Sequence, residues 1–252
     1  MLSARCSLDR LRLRLLVSAE EKGGLLRRNG KSPGNRQDTE RYRAILRAAI
    51  DVFADKGYHR CRISDVARQA GVAYGLVYHY FHDKEALLAA VFEVGWGGFL
   101  ARIREASQGA SPLDEKVRRV AQVAFEAYRR DPNAVKVIIL EIARSPAFEQ
   151  PRRRAELMEV IRLSEQIFLQ AQADGELKEG LDPLLCAAHL FGAIEITLTS
   201  FVLGLLDWRA EQALERAQVQ LTESFLQGVL APGAELSWKV KSATASRTAK
   251  RS

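Results

Sequence analysis

Apolar residues recur three and four positions apart along most of this chain, the spacing that lines one face of an α-helix. Tyr42, Ile45, Ala49, Val52 and Phe53 predict a first helix, with Thr39 as its cap and Gly57 as a left-handed stop. Ile63, Val66, Ala67 and Ala70 predict a short second helix, broken at Gly71. A third short helix runs from about Tyr74 to Phe81. Asp83 stands where the cap of a long fourth helix belongs, with Leu87, Leu88, Val91, Phe92, Phe99 and Ile103 on its apolar side. Further helices are predicted over 112–130, 132–144, 152–174, 182–206 and 209–230, with Pro112, Pro132, Pro146 and Pro183 near their starts or breaks. No alternating strand pattern of useful length and no internal repeat appears. The predicted fold is all-α.

Charge divides the chain further. Residues 1–37 carry nine Lys/Arg against three Asp/Glu, and residues 232–252 carry five against one, which leaves 24 basic and 27 acidic residues between them. The net charge of +7 therefore belongs to the ends, and by itself it argues for no nucleic-acid partner. Residues 1–37 read as a basic flexible leader in which Leu8–Val17 could form a basic amphipathic turn or two; residues 232–252 read as a basic flexible tail.

Cys6, Cys61 and Cys186 are odd in number and far apart, which excludes a disulfide framework and a structural zinc site and fits the cytoplasm. Arg10, Arg12 and Arg14 interrupt the apolar stretch that a signal peptide would need. The most apolar run, Leu190–Leu206, is 17 residues long and contains Glu195, so a buried helix is expected rather than a membrane span. No Gly-rich phosphate loop, GxSxG elbow, HExxH or Cys–His nucleophile pair supports an enzyme. His79 and His82 lie three apart without a carboxylate or thiol to join them, so neither metal nor other cofactor is expected.

The segment that carries function is ISDVARQAGVAYGLVYHYFHDK, residues 63–84. Two short helices meet at Gly71, where the absent Cβ permits positive φ, and the small Ala67 and Ala70 allow close packing. This is the arithmetic of a helix-turn-helix. With Val77 and Phe81 pointing inward, Tyr74, Gly75, Tyr78 and His79 must point outward. Phenols donate to phosphates and pack on thymine methyls, and Gly75 lets the backbone approach closely. Lys84 sits in the first turn of the next helix, a suitable place for phosphate.

AILRAAIDVFADKGYHRCRISDVARQAGVAYGLVYHYFHDKEALL, residues 44–88, resembles the TetR family of one-component transcriptional regulators. The resemblance implies a DNA-binding domain at 38–95 and a ligand-binding and dimerisation bundle at 96–231. It implies DNA contacts at Tyr74, Gly75, Tyr78, His79, Tyr80 and Lys84, and a homodimer most often acting as a repressor on a palindromic double-stranded DNA operator. Where the family often has Ser–Lys–Gly–Thr, this chain has Ala73–Tyr74–Gly75–Leu76, and Arg62 stands where a Thr cap is frequent. Those departures shift the expected readout from base hydrogen bonds toward phosphate, methyl and shape. AYGLVYHYF is similar to a subset that includes regulators of fatty-acid metabolism, which implies an acyl effector such as a fatty acyl-CoA.

Phe125, Tyr128, Ile142, Phe168, His189 and Glu195 are the candidates for an effector cavity, with ordinary core packing as the other reading of the aromatics. Leu184, Ala188, Phe191, Glu195 and Leu198, with Leu214, Ala217, Leu221 and Phe225, form stripes on the last two helices that suit a four-helix dimer interface or the completion of the monomer. An architectural DNA binder with a filled bundle is the alternative function, with binding that follows salt but hardly sequence.

Overall fold

The computed structural model describes residues 36–142 and 151–233. Residues 1–35 of the predicted leader, Leu8–Val17 among them, lie outside these residues, as do Pro146 and the tail beyond Gly233, while Arg36 and Gln37 of that leader belong to the first helix. The described residues form α1 (Arg36–Lys56), α2 (Ile63–Ala70), α3 (Tyr74–Tyr80), α4 (Lys84–Ser107), α5 (Leu113–Arg130), α6 (Pro132–Val137), α7 (Pro151–Ala173), α8 (Pro183–Val202) and α9 (Ala213–Val229). The one β feature among them is an isolated antiparallel bridge between Leu177 and Leu230. The all-α expectation holds.

Element ends differ from the periodicity for local reasons. Helix α1 begins at Arg36, so Thr39 lies within its first turn, and Asp38 supplies the acidic group favoured there. Phe81 caps α3 in an extended conformation, φ −132° and ψ 120°, ending the helix at Tyr80. The helix predicted over 132–144 is α6 followed by a π-helical turn, Ile138–Ile142. Helix α8 stops at Val202, because Leu205 and Leu206 donate backwards to the Ser200 carbonyl at 2.9 and 3.2 Å, around Gly204 at φ 74°. That turn postpones the last helix to Ala213.

The chain divides into two compact units. In the first, which contains the described residues to Ala101 and those from Ala127 to Ala155, the α1 side chains Ile45, Ala49, Val52 and Phe53 are buried. Ile63, Val66 and Ala67 of α2, Val77, Phe81, and Leu87, Leu88, Val91 and Phe92 of α4 are buried with them. Removing side chains of this size from water is the dominant favourable term, about 1.5–3 kcal/mol for each large one. Asp131 accepts from the Ala134 N–H at 3.1 Å and so caps α6. It also pairs with Arg47 of α1, whose other nitrogens hold Asp51 at 2.8 Å, and Asn133 donates to Asp51 at 2.9 Å. Helix α6 is thereby fastened to α1. A Cβ on Gly95 would meet Ile138 at 3.5 Å, so α4 and the π-helical turn are in close contact.

The second unit comprises Arg102–Glu126 and the described residues from Glu156 onward. Ile103, Val117, Ala121, Phe125, Val160, Phe168, Ala187, Leu190 and Leu226 are its most buried side chains, and Phe168 meets Phe225 edge to face at 5.9 Å. Arg102 and Glu126 form an ion pair at 2.6 Å. Of the interface stripes predicted for the last two helices, Leu184 and Glu195 are exposed and Ala188, Phe191, Ala217, Leu221 and Phe225 half-buried, while Leu198 and Leu214 face the core of their own unit. The outward side of α8 also carries Leu185, His189, Gly192 and Ile196. A 3.6-residue period carried through 20 residues of almost uniformly apolar sequence does not say which side is the inner one. Helices α4 and α8 are long and apolar enough to cross a membrane by length and composition, but Leu87, Val91, Leu190 and Ile194 lie in the cores of their units.

Candidate nucleic-acid interface

Gly71 makes the turn between α2 and α3. At φ 66° and ψ 32° it closes α2, its N–H donating to Arg68 and the Val72 N–H to Ala67 at 3.2 and 3.0 Å. A side chain at this φ would be strained, by about 1–2 kcal/mol. The start of α2 lacks a side-chain acceptor at Arg62. The Asp65 carboxylate accepts the Arg62 N–H at 3.0 Å instead and also holds Lys56 at 2.9 Å. That arrangement keeps the Asp65 carboxyl below the usual range, with the Lys56 hydrogen bond the largest cause.

Helix α3 then presents two unlike sides. Val77 is fully buried, while Tyr74 and Tyr78 are 53% and 44% exposed and His79 is exposed beside them. Gly75 faces open space, so backbone is accessible on that side. The two phenols are one turn apart, their oxygens 3.1 Å from each other and their rings edge to face at 5.1 Å. The hydrogen bond from Tyr74 raises the Tyr78 pKa above the usual phenol value, so the Tyr78 hydroxyl keeps its proton. Side chains that hold each other in this way have less freedom to lose on binding than two separate phenols.

Tyr80 and Lys84 have partners that the sequence reading did not foresee. The Tyr80 hydroxyl donates toward the Asp38 carbonyl and carboxylate, both at 3.3 Å, and its ring lies edge to face with Tyr42 at 5.8 Å. It fastens the end of α3 to the start of α1. The Lys84 ammonium donates to the carbonyls of Tyr58, Cys61 and His59 at 2.7, 3.2 and 3.4 Å, and lies 4.4 Å from the centre of the Tyr58 ring. Asp83 caps α4 as expected, accepting from the Ala86 N–H at 2.7 Å. Arg62, read from sequence only as a missing cap, is exposed and offers a cation at the start of α2.

This compact α2–turn–α3 unit, with an apolar inner side and an aromatic outer one, is a helix-turn-helix. Residues 45–91 match the family model of bacterial regulatory proteins, tetR family, and residues 92–218 match the C-terminal region of YsiA-like proteins. The fatty acid metabolism regulator protein of Bacillus subtilis is 33% identical over 169 residues, 67% of this chain and 87% of that protein. The chain belongs to the TetR family. Among solved relatives of this TetR-family chain, the transcriptional regulator FadR of Bacillus subtilis in complex with stearoyl-CoA superposes with a TM-score of 0.65. It is 30% identical, covering 74% of this chain and 98% of that one. The fatty acid degradation regulator FadR of Bacillus halodurans superposes at 0.67 with 26% identity, covering 79% and 98%. The chain is a DNA-binding transcription regulator.

The effector candidates fall into different environments. Phe125 and Phe168 are fully buried in the second unit, and Tyr128 is 2% exposed in the first. His189 and Glu195 lie on the exposed side of α8, so the charge of Glu195 is solvated rather than enclosed. Ile142 ends the π-helical turn, and its side chain lies outside the described residues.

Proposed function

We propose that this TetR-family regulator is a cytoplasmic, non-enzymatic, homodimeric repressor that leaves its operator when it binds a long-chain acyl effector, a fatty acyl-CoA. The likeness to a regulator solved with stearoyl-CoA, at 30% identity and over 98% of that chain, is what supports the effector class. Residues 38–95 form the DNA-binding part, and residues 96–231 the effector-binding and dimerisation part. Tyr74, Gly75, Tyr78 and His79 meet the groove and its phosphates. Phe125, Tyr128, Ile142, Phe168, His189 and Glu195 are the candidates for contact with the effector. Two recognition helices, one per protomer, enter successive major grooves about 34 Å apart, so the operator is an imperfect palindrome.

Repression released by an effector needs differential affinity. A hundredfold loss of operator affinity corresponds to about 2.7 kcal/mol of coupling between the two sites, within the usual range. An acyl-CoA that bound both conformations equally would release nothing. The test is fluorescence anisotropy of a duplex enriched by the protein from a random pool, titrated with acyl-CoAs of increasing chain length and with free coenzyme A. Release by the long-chain thioesters alone is expected. Release by none of them, with binding indifferent to duplex sequence, would favour an architectural DNA binder instead.

A further inference from the structure

We propose, resting on the reading of α3 as the helix that enters the groove, that Tyr74 is a positioning residue for DNA recognition. Its hydroxyl donates to the Tyr78 oxygen and leaves the Tyr78 proton as the donor that meets a DNA phosphate.

The pair follows from spacing. Residues four apart on a helix stand one above the other, so Tyr74 and Tyr78 share one side of α3. Val77 is fully buried and fixes the other side inward, which leaves both tyrosines exposed. Gly75, one residue after Tyr74, has no side chain, and open space surrounds the position a Cβ would take. The phenols meet with their oxygens 3.1 Å apart and their ring centroids 5.1 Å apart at 65°.

Proton counting decides what such a pair presents. Each phenol has one O–H donor, and its oxygen also accepts. Two oxygens 3.1 Å apart cannot direct both protons at each other, so one proton lies between them and the other points away. Tyr74 is the donor of the shared bond, and Tyr78 keeps the outward proton. A hydroxyl that accepts one hydrogen bond while donating another is polarised, and its own bond gains about 10–30% in strength. An ionised acceptor profits most, because charge-assisted hydrogen bonds are about twice as strong as neutral ones. On duplex DNA that acceptor is a phosphate oxygen, whereas the base edges carry neutral ones.

In water the shared bond contributes little, since both side chains are exposed and water replaces either partner. Docking on DNA removes that water, and the bond then holds the Tyr78 oxygen in place. The Tyr74 hydroxyl therefore matters for binding and not for stability, and it acts through Tyr78.

A hydroxyl that acts through its neighbour and one that touches DNA itself leave different signatures in a double-substitution cycle. The experiment uses the full chain and the duplex it enriches from a random pool, with Tyr74→Phe, Tyr78→Phe and the double variant compared in anisotropy titrations. Tyr78→Phe should weaken binding about 2- to 10-fold, the worth of one hydrogen bond. Tyr74→Phe should weaken it about two- to fivefold in the wild-type background, and should add nothing once Tyr78 is replaced. Melting temperatures should be the same in all four proteins. A scan of single methylphosphonate linkages, each removing one phosphate charge, gives a readout that a merely structural role would not move. One linkage in each half of the duplex should cost the wild type affinity and cost Tyr78→Phe nothing, with an intermediate cost in Tyr74→Phe.

Equal losses from Tyr74→Phe in both backgrounds would overturn the proposal, because the hydroxyl would then meet DNA directly. Unchanged affinity in Tyr74→Phe overturns it too, as does a lowered melting temperature in that variant, which would make the pair part of the fold. A Tyr78→Phe variant that binds like the wild type overturns this proposal alone. A wild-type chain that enriches no duplex defeats instead the reading of α3 from which it starts.

Discussion

Tyr78 and Val77 are adjacent in sequence and opposite in fate, one 44% exposed and the other fully buried. Tyr78→Ala should weaken operator binding by about 1–3 kcal/mol with the melting temperature little changed, since the ring is outside the core. Tyr78→Phe separates the hydroxyl from the ring and should lose about 0.5–1.5 kcal/mol. Equal affinity for wild type and Tyr78→Ala in anisotropy titrations would remove this side chain from the contact set. The exposure of Tyr74 and Tyr78 was legible because two apolar anchors, Val77 and Phe81, fix the phase of a short helix. The partners of Tyr80 and Lys84 were not, because they are backbone carbonyls and one carboxylate that lie 23 to 42 residues away. Backbone acceptors leave no pattern in a sequence. Asp65 gives a second residue-scale expectation. Its pKa is lowered in the folded protein by Lys56 and the Arg62 N–H, so its contribution to stability is complete above the unfolded value near 3.8 and disappears as pH falls through the folded one. An acid titration followed by circular dichroism should therefore be less steep below about pH 4 in Asp65→Asn than in wild type.

At the scale of elements, helix existence was readable from the apolar period, whereas helix ends and junctions were set by groups outside that period. Asp131 shows why. It caps α6 through the Ala134 N–H and pairs with Arg47 of α1, and Arg47 in turn holds Asp51, which accepts from Asn133. A lone Asp before Pro132 signals a cap, but nothing near it in sequence signals an arginine 84 residues earlier. The π-helical turn that follows was equally hidden, since a widened turn keeps apolar residues on the same general side. Asp131→Ala removes cap and ion pair together and should cost about 1–2 kcal/mol in urea denaturation, the cap being the larger part because the Arg47 side chain is 41% exposed. Asp131→Asn retains an acceptor for the cap and should cost less than half as much. If the two variants lose equally, the charge rather than the cap fastens α6.

At the scale of the whole molecule, α8 poses a question that one chain cannot answer alone. Its outward side carries Leu185 at 57% and Ile196 at 63% exposure, separated by His189 and Gly192, while its inward side carries Leu190, Ile194 and Leu198. An isolated surface leucine needs no explanation, but two large apolar residues three turns apart on one side of a helix suit a second copy laid alongside, with Gly192 allowing close approach. The proposed dimer makes operator binding bivalent, because the second recognition helix binds at the high effective concentration set by the first. Ile196→Glu should therefore leave the fold intact, since the side chain is exposed in the protomer, and yield a monomer in analytical ultracentrifugation. The same variant should lose about 10²- to 10⁴-fold in affinity for the full palindrome and almost nothing for a single half-site. Weakening of both DNAs alike would mean that the substitution had damaged the protomer. A dimer that persisted with Glu at position 196 would move the interface off this side of α8, and the palindromic operator would then need a different arrangement of protomers.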